Sequence, residues 1–163
     1  MKKVLIIDDR SEERERAEKI AIELGLEPVV VDAKETLHQN MTYKWMTLIP
    51  TVDFVATDLM WEVRDGHGEK VNGLLVVILA KHFNVPVGIC TNGGDFDRGH
   101  HGPAISFIND NFIGAIELAM WTISGENEDK MKLLESRPPF VWSTHKNWKG
   151  VMSKLLDLDQ VSS

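Results

Sequence analysis

One cysteine, Cys90, stands among 163 residues, so no internal disulfide can form. That fits a reducing compartment, and the expected location is the cytoplasm. Positive charge is scarce as well: 18 Lys and Arg face 25 Asp and Glu, a formal net charge of −7. Such a balance argues against broad electrostatic capture of nucleic acid or of an anionic membrane. Long apolar runs are missing too. The longest covers 73–80, only eight residues, where a membrane-spanning helix needs about 20. Lys2 and Lys3 imitate the start of a targeting segment, but Asp8 and Asp9 stop the apolar run behind them at once. No repeat or low-complexity tract interrupts the chain. The length leads us to expect one domain over 1–163 with no separate output module.

What is present suffices for an ordinary core, with 43% apolar and 26% charged residues. Val4, Leu5, Ile6 and Ile7 form an unbroken apolar run ending in acids, as in a parallel strand buried on both faces. Ala17, Ile20, Ala21 and Leu24 then recur at helical spacing over 11–24, and Gly25 stands where a C-terminal cap belongs. Further strands are expected at 29–31, 52–57, 85–90 and 139–143. Helices are expected at 33–48, 72–82, 107–124, 126–135 and 147–156, with a frayed acidic tail over 157–159. Strand and helix alternate, which predicts an α/β fold with a parallel sheet and right-handed crossovers. Eight of the twelve glycines lie between Gly66 and Gly102, so the loops after the third and fourth strands are expected to be long and mobile.

Such sheets bind ligands beyond the carboxyl ends of their strands. Here those ends carry Asp8, Asp9, Asp58, Thr91 and a lysine at 146. Carboxylates gathered in one crevice repel each other, and a hard divalent cation such as Mg²⁺ relieves that repulsion. Asp58 is then placed to act as a nucleophile toward a phosphoryl group, with an ammonium and a hydroxyl to stabilise charge on its oxygens. Asp8 and Asp9 taken alone read equally well as acids capping the following helix. His100, His101, Asp95 and Asp97 lack a diagnostic metal spacing and read as a polar surface loop. Of the five tryptophans, Trp61 lies three positions beyond Asp58 and is the expected optical reporter of the pocket.

At this point the sequence resembles the receiver domain of bacterial two-component response regulators, the chemotaxis response regulator among them. The residues that carry the resemblance are Val4 to Asp9, Val52 to Met60, Asn72 with Gly73, and Val85 to Thr91. It implies a doubly wound, five-stranded, flavodoxin-like sheet of order 2-1-3-4-5, with extended loops after strands 3 and 4. It implies Asp58 as phosphoacceptor, Asp8 and Asp9 as the acidic metal pair, a metal-bound carbonyl from Met60, and Thr91 as the switch hydroxyl. The implied cofactor is Mg²⁺. The implied donor is a histidine kinase or phosphotransfer protein, and output comes from binding a downstream protein, with a homodimer compatible. The expected partner surface is the face of the fourth helix, the fifth strand and the last helix. Trp61 and Glu62 stand where the family has Met-Pro, and no Lys-Pro pair follows the fifth strand. Lys146 is the nearest candidate for the site lysine, with Lys149 as its rival. Two other readings keep the same fold: a pseudo-receiver that binds partners without phosphorylation, and a metal-dependent phosphohydrolase using Asp58. The second is disfavoured because no Asp-x-Asp nucleophile motif closes the first strand.

Overall fold

The computed structural model describes residues 1–34, 41–59, 61–62, 69–70, 72–90, 120–122, 140–143 and 146–162. Apolar runs become strands β1 (Lys3–Asp8), β2 (Glu27–Asp32), β3 (Phe54–Thr57), β4 (Trp61–Glu62), β5 (Glu69–Lys70), β6 (Val87–Cys90), β7 (Met120–Thr122) and β8 (Phe140–Ser143). Among the described residues the helices are α1 (Ser11–Glu23), α2 (Met41–Leu48), α3 (Gly73–His82) and α4 (Trp148–Ser162), with a short 3-10 turn at Ile49–Thr51.

One sheet runs in the order β2-β1-β3-β6-β8-β7, and every pairing in it is parallel. Its first five members reproduce the expected 2-1-3-4-5 order. The sixth, β7, pairs with the far side of β8 through Met120↔Phe140 and Thr122↔Trp142. The expected helix over 107–124 is therefore corrected at 120–122, which are strand. The strand expected as the fifth, β8, is consequently not the sheet edge, and the expected partner face is bordered by β7 there.

Alternate residues on a strand point to opposite faces, and β1 sorts its run accordingly. Leu5 and Ile7 join Val55, Val87 and Ile89 in a core beneath α2 and α3, with Trp45, Ile49, Val76 and Ala80. Val4 and Ile6 join Phe54, Ala56 and Cys90 in a second core beneath α1 and α4, with Ala17, Ala21, Val151, Met152 and Leu155. All four β1 positions are fully buried. Each such aliphatic side chain contributes roughly 1.5–3 kcal/mol on leaving water. The two cores clamp the sheet and fix where the strand ends fall.

Turns are set locally. Gly25 has φ 74°, and Leu26 N–H donates to the Ala21 carbonyl at 2.9 Å, so α1 ends in the cap its sequence predicted. Asn84, at φ 56°, ends α3 in the same way, with Val85 N–H on the Ala80 carbonyl at 2.8 Å. Two expectations are corrected. The segment 157–159 is not a frayed tail: α4 runs on to Ser162, Leu158 packs on the second core, and Asp159 forms an ion pair with Lys2. Trp61 and Glu62 are not loop: they pair antiparallel with Lys70 and Glu69, and the Trp61 side chain is fully buried. Of the helix expected at 33–48, residues 33–34 and 41–48 are described, and Met41–Leu48 is α-helix. The 126–135 helix lies outside the described residues.

Candidate functional site

β1 and β3 are hydrogen-bonded neighbours, with Ile7 level with Thr57, so their carboxyl ends place Asp8 and Asp58 side by side. Asp58 N–H donates to the Ile7 carbonyl at 2.9 Å, which locks that register. The acid following Asp8 completes a cluster in which one carboxylate oxygen from each of Asp8, Asp9 and Asp58 lies within 4.8 Å of the others. Asp8 is fully buried and Asp58 nearly so.

Each buried carboxylate is held at both oxygens. Asp8 Oδ1 accepts from Arg10 N–H at 2.8 Å, a turn that starts α1, and Asp8 Oδ2 accepts from Lys146 Nζ. Asp58 Oδ1 accepts from Leu59 N–H at 2.7 Å, and its Oδ2 accepts from Lys146 Nζ at 2.7 Å. Asp8 Oδ1 thus closes a turn ahead of α1 rather than capping it, since the helix has Arg10 as its N-cap and no side-chain cap, while Asp8 Oδ2 faces Lys146. Arg14 adds a brace: its guanidinium donates to the Asp8 carbonyl at 3.0 Å and pairs with Asp32 at 2.9 Å.

The floor of the site is fixed by glycine. Gly73 N–H donates to the Leu59 carbonyl at 3.0 Å. A Cβ at this position would lie 2.2 Å from the Asp58 carbonyl oxygen and 2.8 Å from Leu59 Cα. Asn72 Nδ2 donates to the Trp61 carbonyl at 2.9 Å, which ties the chain after Asp58 to the start of α3. The backbone carrying Asp58 is thus pressed against the first turn of α3, with no room for a side chain.

Lys146 reaches the site from the segment between β8 and α4. Its residue is 2% exposed and its φ is 48°, a left-handed value that costs a non-glycine residue energy. Asn147 then starts α4: its Oδ1 accepts from Gly150 N–H at 2.9 Å, and its carbonyl accepts from Val151 N–H at 3.0 Å. Burial works against the ammonium charge, but Asp58 and Asp8 outweigh it, and the Lys146 pKa is raised above its ordinary value. Asp8 is pushed up to about 6 by burial, with Lys146 opposing the shift and Asp58 adding to it. Cys90, at the end of β6 near the same charges, has its thiol pKa raised by burial. Of the two candidate lysines, the structure brings Lys146 to the carboxylates and leaves Lys149 exposed. Met60, Thr91, His100 and His101 lie outside the described residues.

Trp148 was not singled out by the sequence as a site neighbour, yet its ring lies beside the Lys146 ammonium, 5.5 Å from Nζ to the ring centroid. The tryptophan expected to report on the pocket, Trp61, belongs to the core beneath α2 and α3.

No family model matches the chain, and no curated protein does. Solved structures do match, and response regulator receiver domains are among them. The receiver domain of a Francisella response regulator superposes with a TM-score of 0.53 at 18% identity, covering 100% of both chains. A response regulator receiver domain protein from Clostridium thermocellum gives 0.54 at 13% identity, again covering 100% of each. The N-terminal domain of a three-domain response regulator/sensory box/GGDEF protein from Carboxydothermus hydrogenoformans gives 0.50 at 12% identity, over 99% of this chain and 98% of that one. The fold is that of response regulator receiver domains, the flavodoxin-like architecture expected from the sequence. Among the described residues no helix is long and apolar enough to cross a membrane.

The donor set suits a hard cation. Three carboxylates offer oxygen ligands only, and Mg²⁺ favours such sites when it can keep several waters. Asp8 must be ionised to serve as a ligand, which gives a pH dependence. Its folded pKa lies above the ordinary 3.8, so the carboxylate takes up a proton as pH falls through about 6. Mg²⁺ affinity is therefore expected to be flat above neutrality and to fall about tenfold per pH unit well below 6. Calorimetric titration between pH 8 and pH 5 measures this. An affinity that does not change across that range would exclude Asp8 as a ligand.

Proposed function

We propose that this protein is a receiver-like signalling domain, spanning 1–163, that accepts a phosphoryl group on Asp58 and signals by binding a partner. The observation that supports it best is the buried ammonium of Lys146 shared between Asp8 and Asp58, with Asp9 alongside. Phosphoryl transfer needs a positioned nucleophile and fixed positive charge around the transferred oxygens, and little else from the protein.

In this reading Asp8, Asp9 and Asp58 hold Mg²⁺, with the Met60 carbonyl as a further ligand. When bound, the ion offsets the repulsion between the Asp58 carboxylate and an anionic phosphoryl donor. Leu59 N–H keeps Asp58 Oδ1 fixed, so Oδ2 is the attacking atom. The bond from phosphorus to the donor imidazole of a histidine kinase or phosphotransfer protein breaks as the Asp58–phosphorus bond forms, and the imidazole keeps the electron pair. Lys146 moves its hydrogen bond from the carboxylate to a phosphoryl oxygen, and Thr91 donates to another. A hydrogen bond to a charged group of this kind contributes about 1.5–3 kcal/mol. No turnover of a free substrate is required, so the role is that of an acceptor rather than of an enzyme.

Beryllium fluoride, which mimics the acyl phosphate, tests the reading. With saturating Mg²⁺, amide resonances near Asp58 and around Lys146 should shift in the wild type and stay still in Asp58→Asn. Silence in the wild type would favour a pseudo-receiver that binds partners unphosphorylated.

A further inference from the structure

Lys146 is held by more than its two carboxylates. The Trp148 ring lies 5.5 Å from its ammonium, and Trp148 is fully buried. The indole N–H donates to Glu13 Oε2 at 2.8 Å, across 135 positions of sequence. Glu13 sits in the first turn of α1, immediately after the strand end that supplies Asp8 and Asp9. Lys146 also adopts a left-handed backbone conformation, which a lysine does not choose without external constraint. A buried cation beside an aromatic face is attracted to it, and the attraction grows as water is excluded. The hydrogen bond to Glu13 fixes the plane of the ring, and the ring in turn limits where the ammonium can go.

We infer that Glu13 and Trp148 form a positioning pair that holds the Lys146 ammonium across Asp8 and Asp58, and so sets how readily a cation takes its place. The part concerning a cation rests on the function proposed above; the positioning of Lys146 does not. Both residues act through Lys146. The pair also gives α1 a physical route to the site, because anything that draws Glu13 away from the indole loosens the lysine.

The test compares Glu13→Ala with Glu13→Gln. Both remove the charge, but only glutamine leaves an oxygen that can accept the indole N–H. In the metal-free protein, NMR should find the Lys146 ε-methylene protons displaced upfield by the Trp148 ring current. That displacement should survive in Glu13→Gln and collapse in Glu13→Ala and Trp148→Leu. Mg²⁺ should then bind Glu13→Ala about thirtyfold more tightly than Glu13→Gln, the size of one released, desolvated cation–π contact. A merely structural role for Glu13 would leave the two variants equal or weaken binding in alanine. Identical methylene shifts in wild type and Glu13→Ala would overturn the positioning pair. If the shifts collapse as expected but Mg²⁺ binds none of the proteins, the pair stands and the metal reading fails.

Discussion

Lys146→Met should destabilise the protein by about 3–5 kcal/mol at pH 8, the usual cost of leaving a buried charge without its partner. Methionine approximates the volume of the lysine stem, so the loss reports charge rather than a cavity. Lys146 is the ammonium hydrogen-bonded to both Asp8 and Asp58, and its side chain is 3% exposed. Without it, two buried carboxylates and Asp9 face one another across less than 5 Å. The sign of the pH dependence follows. Asp8 already has its folded pKa raised to about 6, and losing the lysine raises it further. A carboxyl group whose folded pKa exceeds its unfolded one binds more protons when folded, so stability returns as pH falls through the folded value. Urea denaturation at pH 8 and pH 5 should therefore show the deficit shrinking at the lower pH. Millimolar Mg²⁺ at pH 8 should also recover part of it. A deficit equal at both pH values would mean that the lysine serves packing alone.

Gly73→Ala should cost about 3 kcal/mol and disable the site together with the fold around it. The added methyl would meet the Asp58 carbonyl oxygen at 2.2 Å, Leu59 Cα at 2.8 Å and the Leu59 carbonyl oxygen at 3.0 Å. All three are backbone atoms, which cannot rotate aside as a side-chain end can, so α3 or the Asp58 turn must move. Gly25→Ala is the informative control. That position has φ 74° but nothing within 4 Å of the new methyl, so only backbone strain of about 1 kcal/mol is expected. Thermal denaturation of the two variants should rank them in that order, and only Gly73→Ala should also lose the beryllium fluoride response. Equal, small losses would show that α3 is not pressed against Asp58.

The part of the site that the sequence exposed is the part built from strand ends. Val4 to Ile7 and Phe54 to Ala56 are apolar runs, and a run buried on both faces must stop near its first charged residue, which leaves Asp8 and Asp58 at the carboxyl edge. Gly25 was legible for a comparable reason, since a helix that must turn sharply needs a residue tolerant of positive φ. Lys146 was legible only as a candidate. No local pattern separates it from Lys149; its burial follows from a left-handed turn and a contact with Asp8 138 positions earlier. The Glu13–Trp148 hydrogen bond was invisible for the same reason.

Elements too short to carry a period were missed. Two residues each suffice for β4 and β5, and three for β7, so neither alternation nor helical spacing can reveal them. Met120 to Thr122 followed a stretch rich in Ile, Leu and Ala, and that composition suggested helix; pairing with β8 decided otherwise. The acidic end of α4 suggested a loose tail, but Leu158 on the core and Asp159 on Lys2 extend the helix through it.

Intact-mass spectrometry after incubation with acetyl phosphate and Mg²⁺ tests the central claim most directly. The wild type should gain a single phosphoryl group, bound as an acyl phosphate that hydroxylamine removes, and Asp58→Asn should gain none. A wild type that stays unmodified at saturating Mg²⁺, or an Asp58→Asn variant that is labelled as fully as the wild type, would contradict phosphoacceptance at Asp58.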